Sequence, residues 1–205
     1  ITRHDLKSPL NGIISLPQMM LEDENLTEDQ KENLEFIQEA AYHMLNMIDM
    51  SLSLYKMEKG TYDYQPVRVD MVKVLDKVEK ELSSHIRAKG VEIRVMVNDI
   101  PTREDSFYIQ GEELLCHSML SNLLKNATEA CPKQSIITIA FTEHKDENRK
   151  VISIHNHGVV PEQIREDFGN KYVTSGKNKG TGLGVYSARL ITETMNGNFS
   201  WFSSQ

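Results

Sequence analysis

The sequence predicts an α+β protein: an N-terminal helical hairpin that pairs into a dimeric four-helix bundle, followed by a two-layer α/β sandwich with a mixed sheet. Three observations carry this. Residues 28–59 hold a broad apolar stripe at helical spacing. From Val67 onward short β-type runs and helical patterns interleave. The strand patterns at 136–142 and 151–155 follow each other too closely for a helical crossover, so they suit a hairpin inside an otherwise interleaved sheet.

The first helix covers 4–22, with Leu6, Leu10, Ile13, Ile14, Leu16, Met19, Met20 and Leu21 as its apolar set. A break follows at 25–27. Thr27 is placed to cap the next helix, with Glu28 and Asp29 in the first turn, where the helix dipole favours carboxylates. That helix runs over 28–59. Leu34, Ala41, Ile48 and Tyr55 recur every seven residues, Ile37 and Met44 form a second row, and Leu45 and Leu52 a third. At 1.5 Å per residue it is about 45 Å long. Two helices cannot cover such a stripe, and pairing of two hairpins is the simplest way to bury it. Docking of the stripe on the rest of the same chain is the alternative. Gly60 ends the helix, and YDYQP, residues 62–66, makes a short linker to Pro66, giving domains of 1–65 and 66–205.

In the second domain the pattern predicts strands at 67–69, 91–97, 107–109, 136–142, 151–155 and 198–202. It predicts helices at 71–89, 112–130 and 183–195, with a long loop before the last helix.

Thirty acidic against 23 basic residues leave a net charge of −7, which argues against duplex nucleic acid as a partner. No apolar run approaches the roughly 20 residues that span a bilayer, and the start carries no secretory signal pattern. Cys116 and Cys131 lack metal spacing and read as reduced, buried thiols of a cytoplasmic protein, with room for a membrane anchor upstream of Ile1.

Three groups of residues carry chemistry. Asn122 and Asn126 are four apart and face the same way from one helix. Their carbonyl oxygens suit Mg²⁺ that also takes phosphate oxygens and water. Gly180, Gly182 and Gly184 let the backbone approach a phosphate at the start of a helix, whose N–H groups and dipole attract anions. The preceding loop supplies Lys171, Lys177 and Lys179 as charge and Thr174 and Ser175 as hydroxyl donors. The GKS/T ending of a phosphate-binding loop is missing. Finally, His4 stands beside Asp5, which can hold the proton of one ring nitrogen and leave the other nucleophilic. Ser8 lies one turn on, and Pro9 loosens the helix there. His155 and His157 could share a strand face as a weak metal pair, but nothing in the sequence completes such a site, and the pair reads as structural.

Taken together, these strings resemble the sensor histidine kinases. HDLKSPL resembles their phosphoacceptor box, SNLLKNATEA their asparagine box, GTGLGVYSARLI their second glycine box, and DFGNKYVTSGK the phenylalanine box and ATP lid. The resemblance covers nearly the whole chain in order. It implies ATP and Mg²⁺ as cofactors, a homodimer, and phosphoryl transfer from His4 to an aspartate of a response-regulator receiver domain. By that resemblance His4 is the phosphoacceptor and Asp5 its acid/base partner. Asn126 would hold Mg²⁺ with Asn122 close by. The phosphates would lie against Gly180, Thr181, Gly182, Leu183 and Gly184, with Lys171, Tyr172, Thr174 and Ser175 in the lid.

Three departures stand out. Asn156 takes the place of the aspartate that accepts the adenine amino group, with Gly158 retained and the box's second glycine absent. An amide accepts without the charge that strengthens the bond, which predicts looser adenine recognition. Glu129 stands where many kinases have lysine, so phosphate charge falls to Lys125, Lys171 and the lid lysines. Ser8 replaces the residue often linked to phosphatase activity. Two other readings remain open: a signalling scaffold of this fold with little ATP turnover, and an ATPase of the gyrase class.

Overall fold

A computed structural model describes residues 3–23, 25–174 and 182–204, with the backbone alone at 3–7 and 43. The chain divides into two compact units, Ile1–Tyr62 and Asp63–Gln205. The fold class matches the expectation of a helical N-terminal region followed by an α/β layer pair with a mixed sheet.

The first unit is a hairpin of α1 (Arg3–Met20) and α2 (Glu28–Glu58). Helix α1 continues through both Pro9 and Pro17. Helix α2 starts on a full capping box: Thr27 Oγ1 accepts from Gln30 N–H, and the Gln30 side chain accepts from Thr27 N–H. Two orphan donors are satisfied at once. Leu10, Ile14, Ala41 and Met57 are buried in the hairpin. Many large apolar residues are not: Leu16, Met19, Phe36, Met47 and Tyr55 are exposed, Phe36 to 71%.

The second unit holds two sheets. Strands β1 (Val67–Asp70) and β4 (Tyr108–Gly111) pair antiparallel. The larger sheet has the order β3-β2-β5-β6, with β2 (Glu92–Val97), β3 (Ile100–Pro101), β5 (Ile136–His144) and β6 (Arg149–His155). Strands β2 and β5 are parallel, while β3 and β6 are antiparallel to their neighbours. The expected β5–β6 hairpin is present. Side-chain alternation gives this sheet two different faces. Ile137, Ile139 and Phe141 of β5 are fully buried, and Val95 and Val97 of β2 lie in register beside Ile139 and Phe141. This is the helix-covered face. Helices α3 (Met71–Glu81), α4 (Ser83–Lys89), α5 (Glu113–Ala130) and α6 (Gly184–Thr194) supply the other layer, contributing Met71, Leu75, Val78, Leu115, Leu120, Leu124 and Ile191 to the core. Asp70 ties the small sheet to this layer: its Oδ1 accepts from the N–H of Val72 and of Phe107.

Three expectations are corrected. The single helix over 71–89 is two helices meeting at Leu82, whose ψ of 5° leaves the helical region. Ser83 and Ser84 follow, residue types that compete for backbone hydrogen bonds. Strand β3 was not expected. It pairs back on β2 across Asn98 and Asp99, both at positive φ as a two-residue type I′ turn requires. The strand expected at 198–202 does not form. Trp201 instead stacks edge-on against Phe168, with ring centres 4.7 Å apart, and Ser203 Oγ accepts from Val160 N–H. The aromatic alternation there serves packing on the preceding loop, not a ladder. Among the described residues no helix is long and apolar enough to cross a membrane.

Truncating Phe141 to alanine removes a fully buried ring and is expected to cost about 3–5 kcal/mol. Thr27→Ala should cost about 1 kcal/mol through loss of the cap. Urea denaturation followed by circular dichroism measures both. A loss of similar size at the two positions contradicts this placement of the core.

Candidate functional site

Helix α5 carries the centre of the site. Leu115, Cys116, Leu120 and Leu124 commit one face to the core. Asn122 and Asn126 lie on the adjoining edge, half-buried, and neither amide has a hydrogen-bond partner among the described residues. Half-buried amides without protein partners suit a polar ligand. Asn122 points at the start of α6: a methyl group on Gly184 would lie 3.6 Å from Asn122 Oδ1. Helix α6 starts at Gly184, and Leu183 before it supplies no side-chain cap, so the positive dipole end of the helix at Gly184 and Val185 suits an anion.

Ahead of α6, Tyr172 and Gly182 clasp each other. Tyr172 N–H donates to Gly182 O over 3.0 Å, and both residues sit at positive φ. A Cβ on Gly182 would come within 2.5 Å of the Tyr172 carbonyl carbon, so only glycine fits. The clasp joins the two residues that flank the segment 173–181. Thr174 is exposed at its near end. The Lys171 ammonium stands 5.2 Å from the centre of the Tyr186 ring on the first turn of α6, and the Arg189 guanidinium 5.7 Å from the same ring. Leu183 is half-buried between Gly182 and Gly184. Ser175, Gly180 and Thr181 lie outside the described residues, as do the side chains of His4 and Asp5. Their backbones lie in α1, and Ser8, one turn on, is exposed.

Asn156 and Gly158 lie at the other end of α5. A Cβ on Gly158 would stand 2.6 Å from both Ala130 O and Asn156 Nδ2, so glycine lets this segment press against the last turn of the helix. Asn156 is half-buried and lies one residue beyond β6, on the side of the chain that Ile152 and Ile154 occupy. Eight residues of α5 separate Asn122 from Ala130, or about 12 Å of helix axis. The candidate ligands therefore fall into two groups along one helix edge.

Lys125 does not join either group. It lines a crevice between α4 and α5 with Leu82, His85, Lys89, Thr128 and Glu129. Three residues on from Asn122 is 300° of helix rotation, 60° short of a full turn, which sets Lys125 on the α4 side of the Asn122 edge. Lys89, which the sequence did not single out, donates from Nζ to Glu129 O and Cys131 O and so caps the carbonyl end of α5. A lysine one residue before a glycine helix stop was its only signal.

The thiols are free and buried. Burial, helped by the charges of Glu113 and Glu112 and opposed by a backbone hydrogen bond, pushes Cys116 from 9.0 up to about 12. A thiol so placed is no nucleophile at neutral pH.

Residues 1–60 match the His Kinase A (phospho-acceptor) domain, and residues 111–205 match the histidine kinase-, DNA gyrase B- and HSP90-like ATPase domain. The chain is 26% identical over 210 residues to the signal transduction histidine-protein kinase BarA of Escherichia coli K12, covering 98% of this chain and 22% of that protein. It is 26% identical over 196 residues to sporulation kinase A of Bacillus subtilis, covering 95% and 30%. Among solved structures it resembles full-length ShkA in complex with AMPPNP, at a TM-score of 0.65 and 21% identity over 95% of this chain and 40% of that one. The Acinetobacter baumannii histidine kinase AdeS gives 0.61 and 16%, over 98% and 91%. The chain belongs to the sensor histidine kinases. It spans less than a third of the two curated relatives named here.

Two outcomes follow from this geometry. Gly182→Ala forces a side chain into the Tyr172 backbone and should open the clasp; hydrogen exchange at the Tyr172 amide then speeds up by at least about tenfold, whereas unchanged protection contradicts the clasp. Because the Cys116 thiol holds its proton more tightly folded than unfolded, its contribution to stability is complete below pH 9.0 and is lost as pH rises toward about 12. Urea midpoints taken between about pH 8 and about pH 10 should fall less steeply for Cys116→Ala than for the parent chain; equal slopes contradict it.

Proposed function

We propose that this chain is the kinase core of a two-component sensor, which transfers the γ-phosphoryl group of Mg-ATP to His4 and then to an aspartate of a receiver domain. One observation carries the reading: the half-buried Asn122 amide, with Asn126 one turn on along the same helix edge, faces the glycine start of α6, in a chain whose first 60 residues match a phospho-acceptor domain.

The residues present fit a nucleoside triphosphate. The phosphates would lie at the Asn122–Gly184 end, met by helix N–H groups, Lys171 and the Thr174 hydroxyl, with Ser175 a further candidate donor. The base lies at the Asn156–Gly158 end, about 12 Å away along α5. Mg²⁺, held by Asn126 Oδ1, would neutralise charge on the phosphate oxygens. A ring nitrogen of His4 attacks the γ-phosphorus in line. The new N–P bond forms as the bond to the β–γ bridging oxygen breaks, and ADP leaves with that electron pair. Asp5 holds the proton of the other ring nitrogen and stabilises the cationic ring that develops. Positioning and charge neutralisation supply most of the rate. The domains are taken as 1–65 and 66–205, and the exposed Leu16, Met19, Phe36 and Met47 rows as the contact between two hairpins of a homodimer.

A second reading, a scaffold of the same fold with little turnover, is favoured by Asn156 alone. A neutral amide binds the adenine amino group less tightly than a carboxylate does.

Incubation with radiolabelled ATP separates these readings. The kinase reading predicts an acid-labile, alkali-stable phosphoprotein, no label in His4→Gln, and a fall on the order of 100-fold in Asn126→Ala. Asn156→Asp should tighten ATP binding about tenfold. Label that survives His4→Gln overturns the assignment, and nucleotide binding without any label leaves the scaffold.

A further inference from the structure

The pair His155 and His157 gains a different meaning once its place in the sheet is known. In the β5–β6 ladder, Ile139 faces Ile154 and Phe141 faces Ile152, so these residues share the helix-covered face. His155 faces Thr138 and therefore belongs to the opposite, open face. His157 lies two residues on, just past the end of the strand, and its ring stands beside that of His155. Both imidazoles are exposed. Their ring centres are 5.6 Å apart, and the rings stand at 79° to each other. Asn156 between them is half-buried and turns the other way.

That spacing suits a shared metal ion. With metal–nitrogen bonds of about 2.1 Å, an ion lies about 3.2 Å from each ring centre, and two rings at a tetrahedral angle are then about 5.2 Å apart. The observed separation exceeds this by a few tenths of an ångström, within the reach of small χ rotations. Edge-on rings let one nitrogen of each turn toward a common point. Among the described residues no group of three histidine, cysteine or acidic side chains forms, so an ion held here would take water at its remaining positions. The neighbours on the open face in the same rows, Arg94 beside Thr138 and Glu92 beside Ile136, belong to β2, two strands away from β6.

We infer that His155 and His157 form a surface site for a first-row transition-metal ion of the imidazole-preferring kind, Cu²⁺, Ni²⁺ or Zn²⁺. The site is separate from the proposed nucleotide groove, because it occupies the other face of the sheet. A bound ion would staple the last residue of β6 to the loop that follows and fix the backbone on both sides of Asn156. The inference stands whether or not the chain is an active kinase.

Isothermal titration of the whole chain with Ni²⁺ alone, in chelator-free buffer, tests it. The expected result is a site that weakens at least tenfold in His155→Gln and equally in His157→Gln, while His144→Gln, which changes an exposed histidine at the far end of β5, keeps the parent affinity. Both test positions are exposed, so neither change opens the core. Affinity within twofold of the parent in either single variant overturns the inference, as does a parent chain that takes up no ion or a loss of equal size in His144→Gln.

Discussion

The second unit depends on a division of labour around one helix. Helix α5 has to pack on α3, on α6 and against the sheet, and it also has to leave an edge that can meet a ligand. It does both because its apolar residues occupy one continuous arc, Leu115, Cys116, Leu120, Leu124 and Ala127, all buried. Asn122 and Asn126 sit where that arc gives way to solvent. Moving either by one residue turns its amide by 100°, into the core or away from α6. Burial therefore fixes the site: packing of Leu120 and Leu124 sets the rotation of the helix, and the rotation aims the amides.

The same constraint explains the glycines. Gly184 keeps the start of α6 open in front of Asn122, and Gly158 lets the chain press on the last turn of α5. A side chain at either position would occupy space that the groove needs or that the helix already fills. Two cations gather around Tyr186, one of them, Arg189, also paired with Glu193. Lys171 and Arg189 both approach its ring although the chain carries a net charge of −7. An acidic protein can attract a polyanion only where such cations are grouped.

The sequence was most legible where a local rule and the tertiary fold agree. Thr27 announced the start of α2 because a hydroxyl cap works within one turn. The spacing of Asn122 and Asn126 announced a shared edge because 3.6 residues per turn allow little else. The short gap between β5 and β6 announced a hairpin. Legibility failed where the deciding contact is distant. Nothing near Lys125 tells whether it faces α6 or the crevice beside His85, since that depends on how α4 packs. The break at Leu82 hid in a run that stays apolar at helical spacing. The 198–202 alternation looked like a strand because Phe168, the partner of Trp201, is more than thirty residues away. Strand β3 was readable in principle. The Asn98-Asp99 pair between apolar residues is a hairpin signal, but a weak one, because only two residues follow in register.

Whether a triphosphate occupies the edge of α5 is the central claim, and side-chain amide NMR reads it most directly. Titration with Mg²⁺ and a non-hydrolysable ATP analogue is predicted to shift the Asn122, Asn126 and Asn156 amide signals together with the backbone amides of Gly182 and Gly184, leaving His85 and Lys89 unmoved. Shifts confined to the His85–Lys125 crevice, or none at saturating analogue, contradict the account.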